Sequence, residues 1–210
     1  MPQSKMNTAE HWEEIYATRT ANSVGWYAPH LETSLKWIAE LKLAAEDPII
    51  DVGGGASTLV DDLMNSGHRN LTVLELSETA IQLTKERLGK PSASVTWLQG
   101  DVTEIELPSR YFSLWHDRAV YHFLIEPELQ QKYRNSILKA LKVEGYFIIG
   151  TFSPDAPPQC SGLPVQRYTS ERLSEIFGKA FKLKRYQNEI HYTPSGLEQA
   201  YVYCLFQKIA

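Results

Sequence analysis

The chain has 210 residues, 43% of them hydrophobic and 22% charged, the balance of an ordinary folded protein of about one domain. A formal net charge of −4 excludes the basic footprint of a chain built to coat nucleic acid. No run of about 18 apolar residues is present, so no membrane span is expected.

The first residues, MPQSKMNTAEHWEE, are polar and lack the apolar centre of a secretory signal, so a cytoplasmic location is expected. Asn7 followed by Glu10 predicts a capped helix with Trp12, Ile15 and Tyr16 on one face. A second helix is predicted from about Leu31, with Leu35 and Ile38 at helical spacing, ending before Pro48. PIIDV is the first strand. Beyond its glycines, Leu59, Val60, Leu63 and Met64 form one helical stripe, which Gly67 stops. LTVLEL is the second strand, and Ser77 caps the helix after it. SVTWLQGD, FSLWHD and GYFIIGTF read as strands three to five. A helix opening at Pro127 lies between the last two, and a short one capped by Thr169 follows. FKLKRYQNEIHY and QAYVYCLFQK flank TPSGLE as a closing antiparallel pair.

Repeated alternation of strand and helix predicts an α/β, doubly wound, mostly parallel sheet. In such sheets ligands bind beyond the carboxyl ends of the strands. Residues that follow a strand are therefore the ones to read for chemistry.

The stretch DVGGGAST, after the first strand, admits three readings. A phosphate-binding P-loop fails because no Gly-Lys-Ser/Thr follows at the required spacing. A dinucleotide fingerprint fits by half: Gly53 and Gly55 are in place and Glu75 stands 20 residues beyond Gly55, but Thr58 occupies the third glycine position. Asp51 would also repel a pyrophosphate. The third reading is S-adenosylmethionine, which is cationic and carries no phosphate. Asp51 can meet its ammonium, Glu75 can accept from both ribose hydroxyls, and Asp101, in QGDVT after the third strand, can accept from the adenine amine.

Acids after three successive strands, with GxG after the first, resemble the class I S-adenosylmethionine-dependent methyltransferase family. The likeness runs from about residue 45 to the end. It implies a Rossmann-like methyltransferase fold of seven strands in the order 3-2-1-4-5-7-6, with the last strand antiparallel. It also implies a single domain over 1–210: a helical cap over 1–45 and a catalytic core over 46–210. The expected cofactor set is Asp51, Gly53, Gly54, Gly55, Glu75, Leu76, Asp101, Val102 and Trp26, with S-adenosylhomocysteine as the product. The segment HWEEIYATRTANSVGWYAPH is similar to the N-terminal stretch of small methyltransferase-like enzymes, some of which modify protein lysines. Trp26, Tyr27 and His30 are expected to help close the site.

Methyl transfer is an in-line displacement, so the acceptor residues should follow strands four and five. His116 and His122, in HDRAVYHFL, are the candidates for a base, since histidine titrates near neutrality. Asp117 and Arg118 could pair and cap the next helix, or Arg118 could touch the acceptor. The lysine-modifying relatives commonly carry a lysine-glycine pair after this acid, and DRAV departs from that. The proline-rich stretch SPDAPPQCSGLPVQRYTS reads as a binding loop in which Cys160 and Arg167 could contact substrate. Cys204 reads as core. Cys160 and Cys204 make neither a disulfide framework nor a zinc pattern, and no metal is expected.

The expected activity is methyl transfer to a small-molecule acceptor by a monomer or dimer, with no nucleic-acid or membrane partner. A protein-lysine acceptor is the alternative. A module that binds the cofactor without turnover comes third, and a nicotinamide oxidoreductase last.

Overall fold

A computed structural model describes residues 9–210; Asn7, the expected cap of the first helix, lies outside the described residues. Two helices lead, α1 (Ala9–Thr18) and α2 (Glu32–Leu41). The alternating core follows: β1 (Ile49–Val52), α3 (Leu59–Asn65), β2 (Leu71–Glu75), α4 (Glu78–Leu88), β3 (Val95–Gln99), β4 (Phe112–Arg118), α5 (Pro127–Ala140) and β5 (Leu141–Phe152). A two-strand ribbon, β6 (Gln159–Cys160) and β7 (Leu163–Pro164), precedes α6 (Ser170–Phe177), β8 (Phe181–Tyr192) and β9 (Glu198–Lys208).

The large sheet runs β3-β2-β1-β4-β5-β9-β8. With the small ribbon counted apart, this is the order 3-2-1-4-5-7-6 that the family resemblance implies. Strands β1 to β5 pair in parallel, and β9 alone reverses, antiparallel to both β5 and β8. Strand β1, the innermost of the first three, is buried along its whole length, as its apolar composition requires.

Side chains alternate across the sheet and divide the core into two layers. Ile49, Val73, Leu114, Ile148 and Tyr203 face α1 to α3, where Trp12, Trp37, Leu59 and Leu63 pack. Ile50, Leu74, Trp115, Phe147 and Phe206 face α5 and α6, against Tyr133, Ile137, Leu173 and Phe177. The same parity sends Asp51, His116 and Arg118 to the α1 side and Asp117 to the other.

Two local features differ from expectation. Strand β5 begins at Leu141, directly after α5, but its ladder with β4 shifts register before Leu114 pairs with Tyr146. Glu144 turns the chain there with φ 66°, so the regular part of the strand does start where GYFIIGTF does. The proline-rich stretch, read as irregular, contains the β6–β7 ribbon. Its two turn residues, Ser161 and Gly162, have φ 52° and 76°, the signs of a type I′ turn that matches strand twist.

Candidate functional site

Every loop beyond the carboxyl ends of β1 to β4 opens into one depression, formed of two adjoining clefts. The larger, about 750 Å³ including its mouth, is walled by Glu75, Leu76, Asp101 and Val102 at one end. Trp12, Tyr16, Phe123 and Cys160 wall the other. The smaller, about 460 Å³, lies over Asp51, Gly53 and Gly54 and beneath Tyr27. Tyr16, Trp26, Gly53 and Arg118 border both, so the two are arms of one site.

The glycine turn is shaped by the acids beneath it. Gly53 leaves β1 with φ 71° and donates its N–H to the Leu74 carbonyl at 2.7 Å. A Cβ on Gly54 would come within 2.2 Å of Asp51 Oδ2, and one on Gly55 within 2.3 Å of Glu75 Cγ. The loop must be bare so that both carboxylates can lie directly under it.

Asp51 is buried. His116 Nδ1 binds its Oδ1 at 2.6 Å, and its Oδ2 is sealed from solvent with no partner. A buried carboxylate oxygen left unpaired costs about 1–3 kcal/mol or more, so it marks a place for a donor that a ligand would bring.

Glu75 accepts from the N–H groups of Leu76 (2.8 Å), Ser77 (3.0 Å) and Gly55 (3.1 Å). Burial raises its pKa, the three N–H groups oppose that, and the charge of Asp51 adds to it; the net direction is upward. A carboxylate offers about four lone-pair positions, so one remains for an outside donor. Asp101 Oδ1 is fixed by the Thr103 N–H (2.7 Å) and hydroxyl (2.8 Å). Its second oxygen carries no bond among the described residues.

Three acceptors backed by apolar walls suit a cationic ligand rich in N–H and O–H groups. They do not suit a pyrophosphate. The β1–β3 end of the depression thus has acceptors to match the ammonium, hydroxyl and amine donors of S-adenosylmethionine.

Neither histidine offers a free, basic ring nitrogen to the depression, although His116 borders the smaller cleft. His116 is buried, its Nε2 2.9 Å from Ser34 Oγ while its Nδ1 holds Asp51, so both ring nitrogens are engaged. His122 borders neither cleft. It sits edge-on to Phe123 and Phe152, 4.5 and 4.7 Å away, and its Nδ1 accepts the Phe152 N–H at 3.3 Å. Burial, reinforced by the charge of Arg118, pushes His122 down to about 3, too weak a base near neutrality.

Asp117 and Arg118 do not pair, because adjacent residues of a strand face opposite ways. Asp117 takes the N–H groups of Val120 and Tyr121 and the Tyr133 hydroxyl (2.7 Å), and burial raises its pKa to about 6. Arg118 turns into the depression.

Two further expectations are corrected. His30 lies on the surface, bound to Asp62 at 3.0 Å, with 58% of its side chain exposed, and closes nothing. Arg167 donates to the carbonyls of Pro154 and Ala156, both at 3.0 Å, and so braces its own loop outside both clefts. Cys160 does border the larger cleft, its thiol pushed up to about 12 by burial although Arg118 pulls it down.

The sequence reading expected a helical cap but did not name Trp12 and Tyr16 among the site residues. Trp12 and Tyr16, one turn apart on α1, reach across the β2–β4 tips, and Trp12 meets Trp26 and Phe123 edge-on at 5.6 and 5.1 Å. Glu13 pins the same helix by accepting from the N–H groups of Glu78 and Thr79 at the start of α4. Two large aromatics four apart on a ten-residue helix were the signal, legible only as an apolar face.

A family model described as a methyltransferase domain matches residues 49–145, the segment from β1 into β5 that holds all three acids. The chain is an S-adenosylmethionine-dependent methyltransferase. This methyltransferase is 26% identical over 196 residues to EEF1A lysine methyltransferase 2 of Mus musculus, covering 86% of this chain and 74% of that protein. It is 25% identical over 124 residues to the eEF1A lysine and N-terminal methyltransferase of Mus musculus, of whose length it spans only 18%. Its fold is also that of the 1,6-didemethyltoxoflavin-N1-methyltransferase of Burkholderia thailandensis, solved with bound S-adenosylhomocysteine. That likeness has a TM-score of 0.67 at 20% identity, covering 99% of this chain and 87% of that one. The cofactor of the methyltransferase is S-adenosylmethionine. None of its described helices is long and apolar enough to cross a membrane.

Proposed function

We propose that this methyltransferase acts on a small-molecule acceptor, in a single domain whose first 45 residues cap the site and whose working place is the cytoplasm. Asp51 Oδ2 takes the cofactor's ammonium, Glu75 its ribose hydroxyls and Asp101 its adenine amine, between Leu76 and Val102. Gly53 to Gly55 bring the loop backbone close, and Trp26 and Tyr27 cover the methionine arm.

The observation that carries the acceptor class is the division of charge along the sheet. The three acids that line the depression stand at the tips of β1, β2 and β3, at its cofactor end. Beyond them the walls are Trp12, Phe123, Cys160 and Arg118, with no carboxylate to draw in a lysine ammonium.

S-adenosylmethionine supplies an electrophilic methyl group: an acceptor lone pair forms the new bond to that carbon, and the old bonding pair returns to sulfur, leaving a neutral thioether. The chain's part is to hold the acceptor in line and to exclude water, which α1 does from above. With His116 bound at both nitrogens and His122 held neutral, the acceptor enters with its lone pair already free.

The protein-lysine reading has support in the two mouse relatives, which are named for that reaction. The neighbour from Burkholderia is named for methylation of a small heterocycle. The two separate in one assay. Methyl-labelled cofactor is incubated with the enzyme and either a protein-free metabolite extract or purified elongation factor 1A. Label should enter the metabolites, whereas label confined to the elongation factor would overturn the small-molecule reading.

A further inference from the structure

Among the described residues, Arg118 is the one lining the depression that carries a fixed positive charge. Its Nε donates to the Tyr203 hydroxyl and its Nη1 to the Trp26 carbonyl, both at 2.8 Å. The guanidinium carbon lies over the Tyr201 ring, 4.7 Å from its centre. These contacts fix the plane of the group and leave Nη2 without a hydrogen bond. None of the ion pairs among the described residues includes Arg118. Glu189, the acid whose charge it feels, is turned to the Thr33 hydroxyl at 2.5 Å.

His122 and His191 are both pushed down, first by burial and then by the charge of Arg118, so neither adds a second positive charge beside it. Beneath the guanidinium the Tyr201 ring is fully buried and borders neither cleft, so it supports the arginine from below. A half-buried arginine with one free edge is a donor short of an acceptor. A carboxylate has two oxygens and matches the planar guanidinium edge.

We infer that Arg118 forms the anchor for a carboxylate on the methyl acceptor, whose apolar remainder rests on Trp12, Trp26 and Phe123. The substrate class is thus a small, singly charged organic acid with an apolar or aromatic body. This rests on the small-molecule reading above and makes Arg118 a binding residue of specificity, not a base. It also gives that reading a reason to reject lysine: a protein ammonium would meet a like charge at the mouth of the transfer site.

The test divides a protein-free metabolite extract on an anion exchanger at neutral pH before the reaction. The retained and unretained pools are then offered with methyl-labelled cofactor. The retained pool should carry the acceptor. Arg118→Gln should lower kcat/KM on that pool about 10- to 100-fold, mainly through KM, with S-adenosylhomocysteine affinity kept within about threefold. Arg118→Lys should recover part of the loss. Arg118→Met, uncharged and of similar length, should show the same rise in KM and serves if Arg118→Gln does not fold. Acceptor activity in the unretained pool alone would overturn the inference and leave the small-molecule reading standing. So would Arg118→Gln losing cofactor affinity in step with activity, for the arginine would then hold the cofactor's own carboxylate. Label in neither pool but in added protein would instead overturn the reading beneath it.

Discussion

Asp51 and His116 face each other directly across the parallel β1–β4 pair, Nδ1 to Oδ1 at 2.6 Å, both buried on the α1 side of the sheet. Ser34, reaching down from α2, holds the far nitrogen of the ring. The imidazole is thereby a positioning group: it fixes one oxygen of Asp51 so that the other, Oδ2, points up under Gly54.

Replacing His116 by Asn should therefore weaken cofactor binding about 10-fold or more, within the roughly 1.5–3 kcal/mol of a hydrogen bond to a charged group. Turnover at saturating cofactor should stay within about threefold. Calorimetry with S-adenosylhomocysteine and a kcat measurement read the two separately. Retained affinity with turnover down by about 10²–10⁴ would make His116 a base after all.

Glu75→Ala should lose about 1.5–3 kcal/mol of cofactor binding, roughly 10- to 100-fold. Part of that arises within the protein, because Gly55, Leu76 and Ser77 would lose their shared acceptor. Glu75→Gln should lose less, since it keeps one oxygen. If a folded Glu75→Ala enzyme binds S-adenosylhomocysteine like the parent, the glutamate only organises the entry to α4.

His122 gives a pH signature with a definite sign. Its pKa falls from 6.5 to about 3 in the folded chain, chiefly through burial. Below pH 6.5 the unfolded chain then binds the proton that the folded chain refuses, so this contribution is complete above pH 6.5 and is lost as pH falls toward 3. Relative to His122→Gln, the parent should lose about 1.4 kcal/mol of stability per pH unit below that point. Urea unfolding of both proteins between about pH 7.5 and pH 5 measures the difference. A gap that stays constant over the range would show that the histidine is charged in the fold.

The α1 lid should govern residence time more than chemistry. Trp12→Ala removes the ring that meets Trp26 and Phe123 and opens the wall of the larger cleft. Dissociation of S-adenosylhomocysteine, followed by the change in tryptophan emission, should accelerate about 10-fold or more, consistent with the roughly 0.5–1.5 kcal/mol of each aromatic pair plus lost burial. Glu13→Ala, which frees the same helix from the start of α4, should act in the same direction and more weakly. Unchanged dissociation in both would mean that α1 is not a lid.

The cofactor end of the site was legible because its signals are local. Asp51, Glu75 and Asp101 each close a strand that composition alone identifies, and strand ends in a parallel sheet face the ligand. The closing antiparallel pair was legible in the same way, whereas the strand order came from the family resemblance. The acceptor end was not legible, since it depends on contacts between distant segments. Ser34 and Asp51 engage His116 from 82 and 65 residues away, and nothing near His116 in sequence announces them. Asp117 and Arg118 looked like a pair because they are adjacent, yet strand alternation puts them in different layers. Arg167 and His30 were singled out for charge, and charge is satisfied as readily by a neighbouring carbonyl or aspartate as by a substrate.

A crystal structure of the S-adenosylhomocysteine complex tests the account most directly. It should show the ribose on Glu75, the adenine amine on Asp101 and the ammonium on Asp51 Oδ2, with the Arg118 edge still open toward Trp12 and Phe123. A cofactor whose carboxylate occupies Arg118, or whose ammonium lies away from Asp51, would contradict it.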